Sequence, residues 1–67
     1  MKLDKLNREI LNSGIKKKSI ASRLGITEMS LIRKLKGETE FKIRETVKIG
    51  SILNLSDVEK CDIFFNE

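Results

Sequence analysis

Lys17 to Gly37, KKSIASRLGITEMSLIRKLKG, is the stretch on which the fold turns. Ile20, Ala21 and Leu24 make a short apolar stripe at helical spacing, and Gly25 ends it, since glycine enters the left-handed region without a Cβ clash. Thr27 then suits an N-cap, its hydroxyl accepting from a backbone N–H one turn inside, and Leu31 and Leu35 follow four residues apart. Gly37 closes this second stripe. The pattern predicts helices over about 17–24 and 28–36, joined by a turn of three or four residues. Ala21 is small where the two helices would cross. Ile20, Ala21, Leu24, Ile26, Leu31 and Leu35 are placed to face inward, which leaves Glu28, Met29, Ile32, Arg33 and Lys36 on the outer side of the later helix.

On the N-terminal side, Leu3, Leu6 and Ile10 recur at helical spacing before Asn12-Ser13-Gly14, which predicts a first helix over 2–13 with Gly14 at its C′ position. On the C-terminal side, residues 38–41 read as a loop. Ile43, Val47, Gly50 and Leu53 then repeat along one side of a helix over 42–53, with Ile49 and Ile52 beside them. Ser56-Asp57-Val58-Glu59 is a capping-box pattern, so a fifth helix is predicted over 57–65. Proline is absent, nothing alternates at the strand period, and no repeat or low-complexity tract intervenes. The expectation is a single all-α domain over residues 1–67, near the smallest size at which one core holds a chain without staples.

Cys61 is the lone cysteine and histidine is absent, so an internal disulfide and a Cys/His zinc site are excluded, and no metal or other cofactor is expected. Cys61 itself reads as a small buried or half-buried side chain. No apolar run is longer than Ile63 to Phe65, so neither a membrane span nor a secretory core segment is expected, and a reducing cytoplasm is the default location. The net charge of +4 is unevenly spread: residues 16–36 carry seven cations against Glu28 alone, residues 1–15 are nearly balanced, and residues 37–67 are net acidic. A basic segment of this kind points to a polyanionic partner, with a solvated cationic face as the bland alternative.

Taken together, Ile20-Ala21-Ser22-Arg23-Leu24-Gly25-Ile26-Thr27, followed by Leu31, resembles the lambda-repressor-like, or Cro-type, helix-turn-helix family. That family's pattern is apolar-Ala-x-x-apolar-Gly-apolar-Ser/Thr, with a further apolar residue four positions on. Gly37 and the two later helices extend the likeness over nearly the whole chain. Lys17 stands where the family usually has glutamine, and Lys16 where it usually has a serine or threonine cap. The resemblance implies a five-helix lambda-repressor-like bundle, a double-stranded DNA operator as partner, and a Cro-like phage or prophage repressor, bacterial and nucleoid-associated, made of this domain alone. With no room for a sensing module, regulation would come from concentration or from a protein antagonist.

The residues supply their own physics for such contacts. Lys16, Lys17 and Lys18 crowd a helix N-terminus, where the macrodipole disfavours cations, and a phosphate there would turn repulsion into an anion site. Arg33 can offer two donors to guanine, and Glu28 can accept from cytosine N4. In the family the positions of Met29 and Ile32 face the major groove, where they would meet a thymine methyl; for Ile32 a core position is the alternative. Ser19, Thr27, Ser30, Lys36, Lys42 and Arg44 join Lys17 and Lys18 as expected phosphate contacts. Phe64 and Phe65 cannot easily share one small core, and the family's last helix often forms a dimer surface, so a weak homodimer on DNA is expected through them, with one ring closing the core as the alternative.

A second class of function remains open at this point: an interaction protein, antirepressor-like or antitoxin-like, that binds another repressor or a toxin through Met29, Ile32, Phe64 and Phe65. An enzyme is not expected, because the chain has no histidine, no glycine-rich phosphate loop and no paired catalytic carboxylates.

Overall fold

In the computed structural model, which describes residues 1–65, five helices follow one another: α1 Leu3–Ser13, α2 Lys17–Leu24, α3 Glu28–Leu35, α4 Ile43–Ile52 and α5 Asp57–Phe64. No strand occurs among the described residues, so the fold is all-α as expected. The helices end within a residue or so of the predicted bounds, and positions 66 and 67 of the predicted domain lie outside the described residues.

Local chemistry sets these ends. Gly25, at φ 74°, donates its N–H to the Ser22 carbonyl at 3.1 Å while Ile26 donates to Ala21 at 3.0 Å, the paired bonds of a Schellman stop. Gly37, at φ 84°, repeats the motif: its N–H reaches the Lys34 carbonyl and that of Glu38 reaches Arg33. Asn54 does the same after α4 at φ 55°, the only non-glycine with positive φ among the described residues. At the helix starts, Thr27 Oγ1 accepts the Ser30 N–H at 3.1 Å, and Ser56 and Glu59 form the predicted reciprocal box at 3.1 and 2.9 Å.

The core gathers Leu6 and Ile10 of α1, Ile20, Ala21 and Leu24 of α2, Leu31 and Leu35 of α3, Ile49 of α4, Leu55, and Ile63 and Phe64 of α5. α2 packs on α3 and α4, and α1 packs on α3 and α5. Two polar ties fix α1: Asn7 Nδ2 donates to the carbonyls of Leu3 and Leu35, and the Lys2 N–H donates to Ile63 at 2.7 Å. Lys2 and Lys5 grip the Asp62 carboxylate at 2.9 and 2.6 Å, so both ends of the described chain are held together.

Three expectations need correction. The first turns of α4 depart from the predicted stripe: Ile43 is 78% and Val47 58% exposed and Glu45 and Thr46 face inward instead, whereas Ile49 and Gly50 are buried and Ile52 and Leu53 pack against the core. Two turns of β-branched residues offer more than one apolar stripe, and the one chosen lets Glu45 meet a buried lysine and lets Gly50 accept the close approach of the Lys60 stem. Cys61 is exposed rather than buried. The phenylalanines divide: Phe64 completes the core, so it has little surface left for a partner, while Phe65 is 63% exposed. Their rings meet edge to face at 6.3 Å.

Candidate nucleic-acid interface

α2, the turn Gly25-Ile26-Thr27 and α3 carry the basic segment of the sequence. Their inward side is anchored by Ile20, Ala21, Leu24, Leu31 and Leu35, all buried, with Ile26 packed against them. This anchoring turns most of the remaining side chains outward. Glu28, Met29, Arg33 and Lys36 are exposed along α3, as predicted. Ile32 and Ser30 are half-buried.

At the start of α2, Lys16 adopts extended backbone angles as N-cap but supplies no side-chain hydrogen bond, having no acceptor. Lys17, Lys18 and Ser19 in the first turn are exposed. Their ammonium groups and the uncapped first-turn N–H groups present positive charge together, with no acid in that turn. Thr27, exposed at the start of α3, accepts from Ser30 and keeps its hydroxyl proton to donate. Lys42 and Arg44, at the start of α4, are exposed as well.

One buried cation escaped the sequence reading. Lys34 sits in the basic segment but points inward, 8% exposed, its Nζ donating to Glu45 Oε1 at 3.1 Å and to the Glu40 carbonyl at 3.0 Å, with the Phe41 ring centroid 5.9 Å away. The exposed surplus of residues 16–36 is therefore six cations against Glu28. The same Glu45 oxygen accepts the Lys42 N–H at 2.8 Å. Burial alone would push the Glu45 carboxyl up; the Lys42 N–H and the Lys34 ammonium outweigh it and hold the group below its ordinary value. An acid at the third position of α4 was the available signal, masked because a lysine rather than a serine or threonine precedes it as cap.

No group of three or more metal-ligating side chains gathers among the described residues, and no helix there is long and apolar enough to cross a membrane. Comparison of the chain with family models, with curated proteins and with solved structures finds no match.

Proposed function

We propose that the chain is a sequence-specific double-stranded DNA-binding regulator of the helix-turn-helix kind, acting as a Cro-like repressor. The supporting observation is the division of labour between the two faces of α2 and α3: one buried and apolar apart from Lys34, the other carrying Arg33, Lys36, Met29 and Glu28 beside the uncapped lysines of α2. An exposed helix with a fork-shaped cation, an apolar tip and an acceptor has the chemical variety to distinguish base edges in a major groove. Lysines at a neighbouring helix N-terminus supply the phosphate contacts that would set its register. Glu28, a carboxylate on a surface facing polyanion, acts in this reading as a selective reader that tolerates DNA only where a cytosine amino group meets it.

The test is selection from a random duplex library followed by binding at several salt concentrations. One enriched sequence is expected, with log K falling linearly against log salt at a slope of about −0.9 for each phosphate contacted. Absence of enrichment together with a shallow slope would overturn the reading and favour a protein partner.

A further inference from the structure

The exposed side of α4 forms a surface from which the DNA-binding reading takes only Arg44. It carries, in order, Ile43, Arg44, Val47, Lys48 and Ser51: an apolar pair one turn apart, with cations alongside and no acid. α5 meets α4 through a few side chains, with the Lys60 stem over Gly50 and Phe65 beside Val47. Thr46, Val47, Lys60, Phe64 and Phe65 together line a shallow notch of about 50 Å³. The result is an apolar centre of Ile43, Val47 and Phe65, bordered by Arg44 and Lys48 on one side and Lys60 on the other. None of these three cations makes an ion pair among the described residues.

Exposing two β-branched side chains and most of a phenylalanine ring within one patch is unfavourable in water, and such a patch marks a contact surface. The cations decide what kind. A second copy of the chain docked face to face would bring two sets of Arg44, Lys48 and Lys60 together, with no acid on the exposed side of α4 to offset them, a like-charge arrangement that opposes self-association. We propose that this face of α4 and α5 docks an acidic amphipathic helix of another protein, whose apolar stripe covers Ile43, Val47 and Phe65 and whose flanking carboxylates meet Arg44, Lys48 and Lys60. The notch between Val47 and Phe65 takes one apolar side chain of that stripe, in the helix-in-groove manner of recognition. The site shares only Arg44 with the DNA-binding reading; Ile43, Val47, Lys48, Lys60 and Phe65, which carry it, lie on α4 and at α5, away from the outer face of α3.

The test uses the isotope-labelled full chain and a synthetic peptide of roughly 18 residues, five helical turns, with leucines at i, i+3 or i+4, and i+7 and glutamates beside them. Titration is expected to shift the amide signals of Arg44, Val47, Lys48 and Phe65. A peptide of the same composition scrambled to lose its apolar stripe, and one with lysine for glutamate, should bind at least tenfold more weakly. Val47→Ser, and separately the pair Lys48→Gln with Lys60→Gln, should each weaken binding about tenfold without lowering the thermal midpoint; glutamine keeps most of the Lys60 stem over Gly50. Shifts confined to residues 16–36, equal binding of the scrambled peptide, or no binding would overturn the proposal. So would concentration-dependent shifts of the same residues without peptide, abolished by Val47→Ser, which would assign the face to a second copy.

Discussion

The ammonium of Lys34 and the carboxylate of Glu45 meet at 3.1 Å with only 10% and 3% of their side-chain surfaces exposed, and this contact joins the end of α3 to the start of α4. A buried pair of this kind adds little beyond what apolar residues of the same shape would give, but losing one partner strands the other charge. Glu45→Leu should cost about 3 kcal/mol or more, and Lys34→Met somewhat less, because the Lys42 N–H still serves Glu45. The double variant should recover most of the loss. Urea denaturation of all four proteins measures the coupling, and strictly additive losses would mean that the pair does not act as a unit.

Acid should unfold the chain through its held carboxylates. Asp62 is kept well below the usual range by Lys5 and Lys2, Glu59 is lowered by the Ser56 backbone and hydroxyl, and Glu45 by its buried partners against the opposing effect of burial. Each carboxyl is a stronger acid folded than unfolded, so its contribution is complete above the unfolded value and is lost as pH falls through the folded one. The thermal midpoint should stay level from neutrality to about pH 5 and drop below about pH 4. Lys5, raised by Asp62, works at the other end: its contribution is complete below the ordinary lysine value and fades above it. Asp62→Asn should flatten both limbs.

The pattern of the chain made the first three helices legible because each has one apolar stripe and a stop of its own, Gly14, Gly25 or Gly37, and the fifth was announced by Ser56 and Glu59. α4 was harder. Ile43, Val47, Ile49 and Ile52 mark two overlapping stripes, and the choice between them was made by Glu45, whose partner Lys34 lies eleven positions away and looks like one more surface cation. Pairings of that kind depend on how two helices are set against each other, which spacing within either helix does not encode. Cys61 was misplaced for a related reason: a small side chain on a short helix fits either face. The outward set on α3 was readable because Leu31 and Leu35 leave it no other direction.

Gly25→Ala tests the turn that aims α3. A Cβ built there meets nothing within 4 Å, so the expected loss of about 1 kcal/mol is backbone strain at φ 74° and not a clash. Chemical synthesis with D-alanine at this position, which favours positive φ, should restore or exceed the parent stability. Gly37→Ala should lose more, since its Cβ would also come within 3.3 Å of Leu3 Cδ1. Equal stability of the L- and D-alanine proteins in a denaturant titration would remove strain as the cause.

Lys17 and Lys18 should supply affinity without sequence preference. Replacing both with alanine is expected to weaken every duplex alike and to reduce the salt slope by about 2, one unit for each lost phosphate contact. Stability should not fall, because cations at the uncapped start of α2 oppose its macrodipole. An unchanged slope would place these lysines outside the interface and leave them as a solvated face.

Arg33 is the most discriminating position for the proposed function. It lies two residues after Leu31 and two before Leu35, about 200° around the helix from each, and with both leucines buried its side chain has only the outward direction. Its backbone is fixed too, because its carbonyl accepts the Glu38 N–H in the stop that ends α3. A planar guanidinium grips a guanine edge at two points, whereas lysine keeps the charge without the fork. Arg33→Lys should therefore retain general duplex affinity and the salt slope while losing about 1 to 3 kcal/mol of discrimination at one base pair of the selected site. Binding to that site and to its single-base variants measures this directly. A uniform loss across all variants would make Arg33 a phosphate contact, and no loss at any of them would take α3 out of the groove and with it the DNA-reading role.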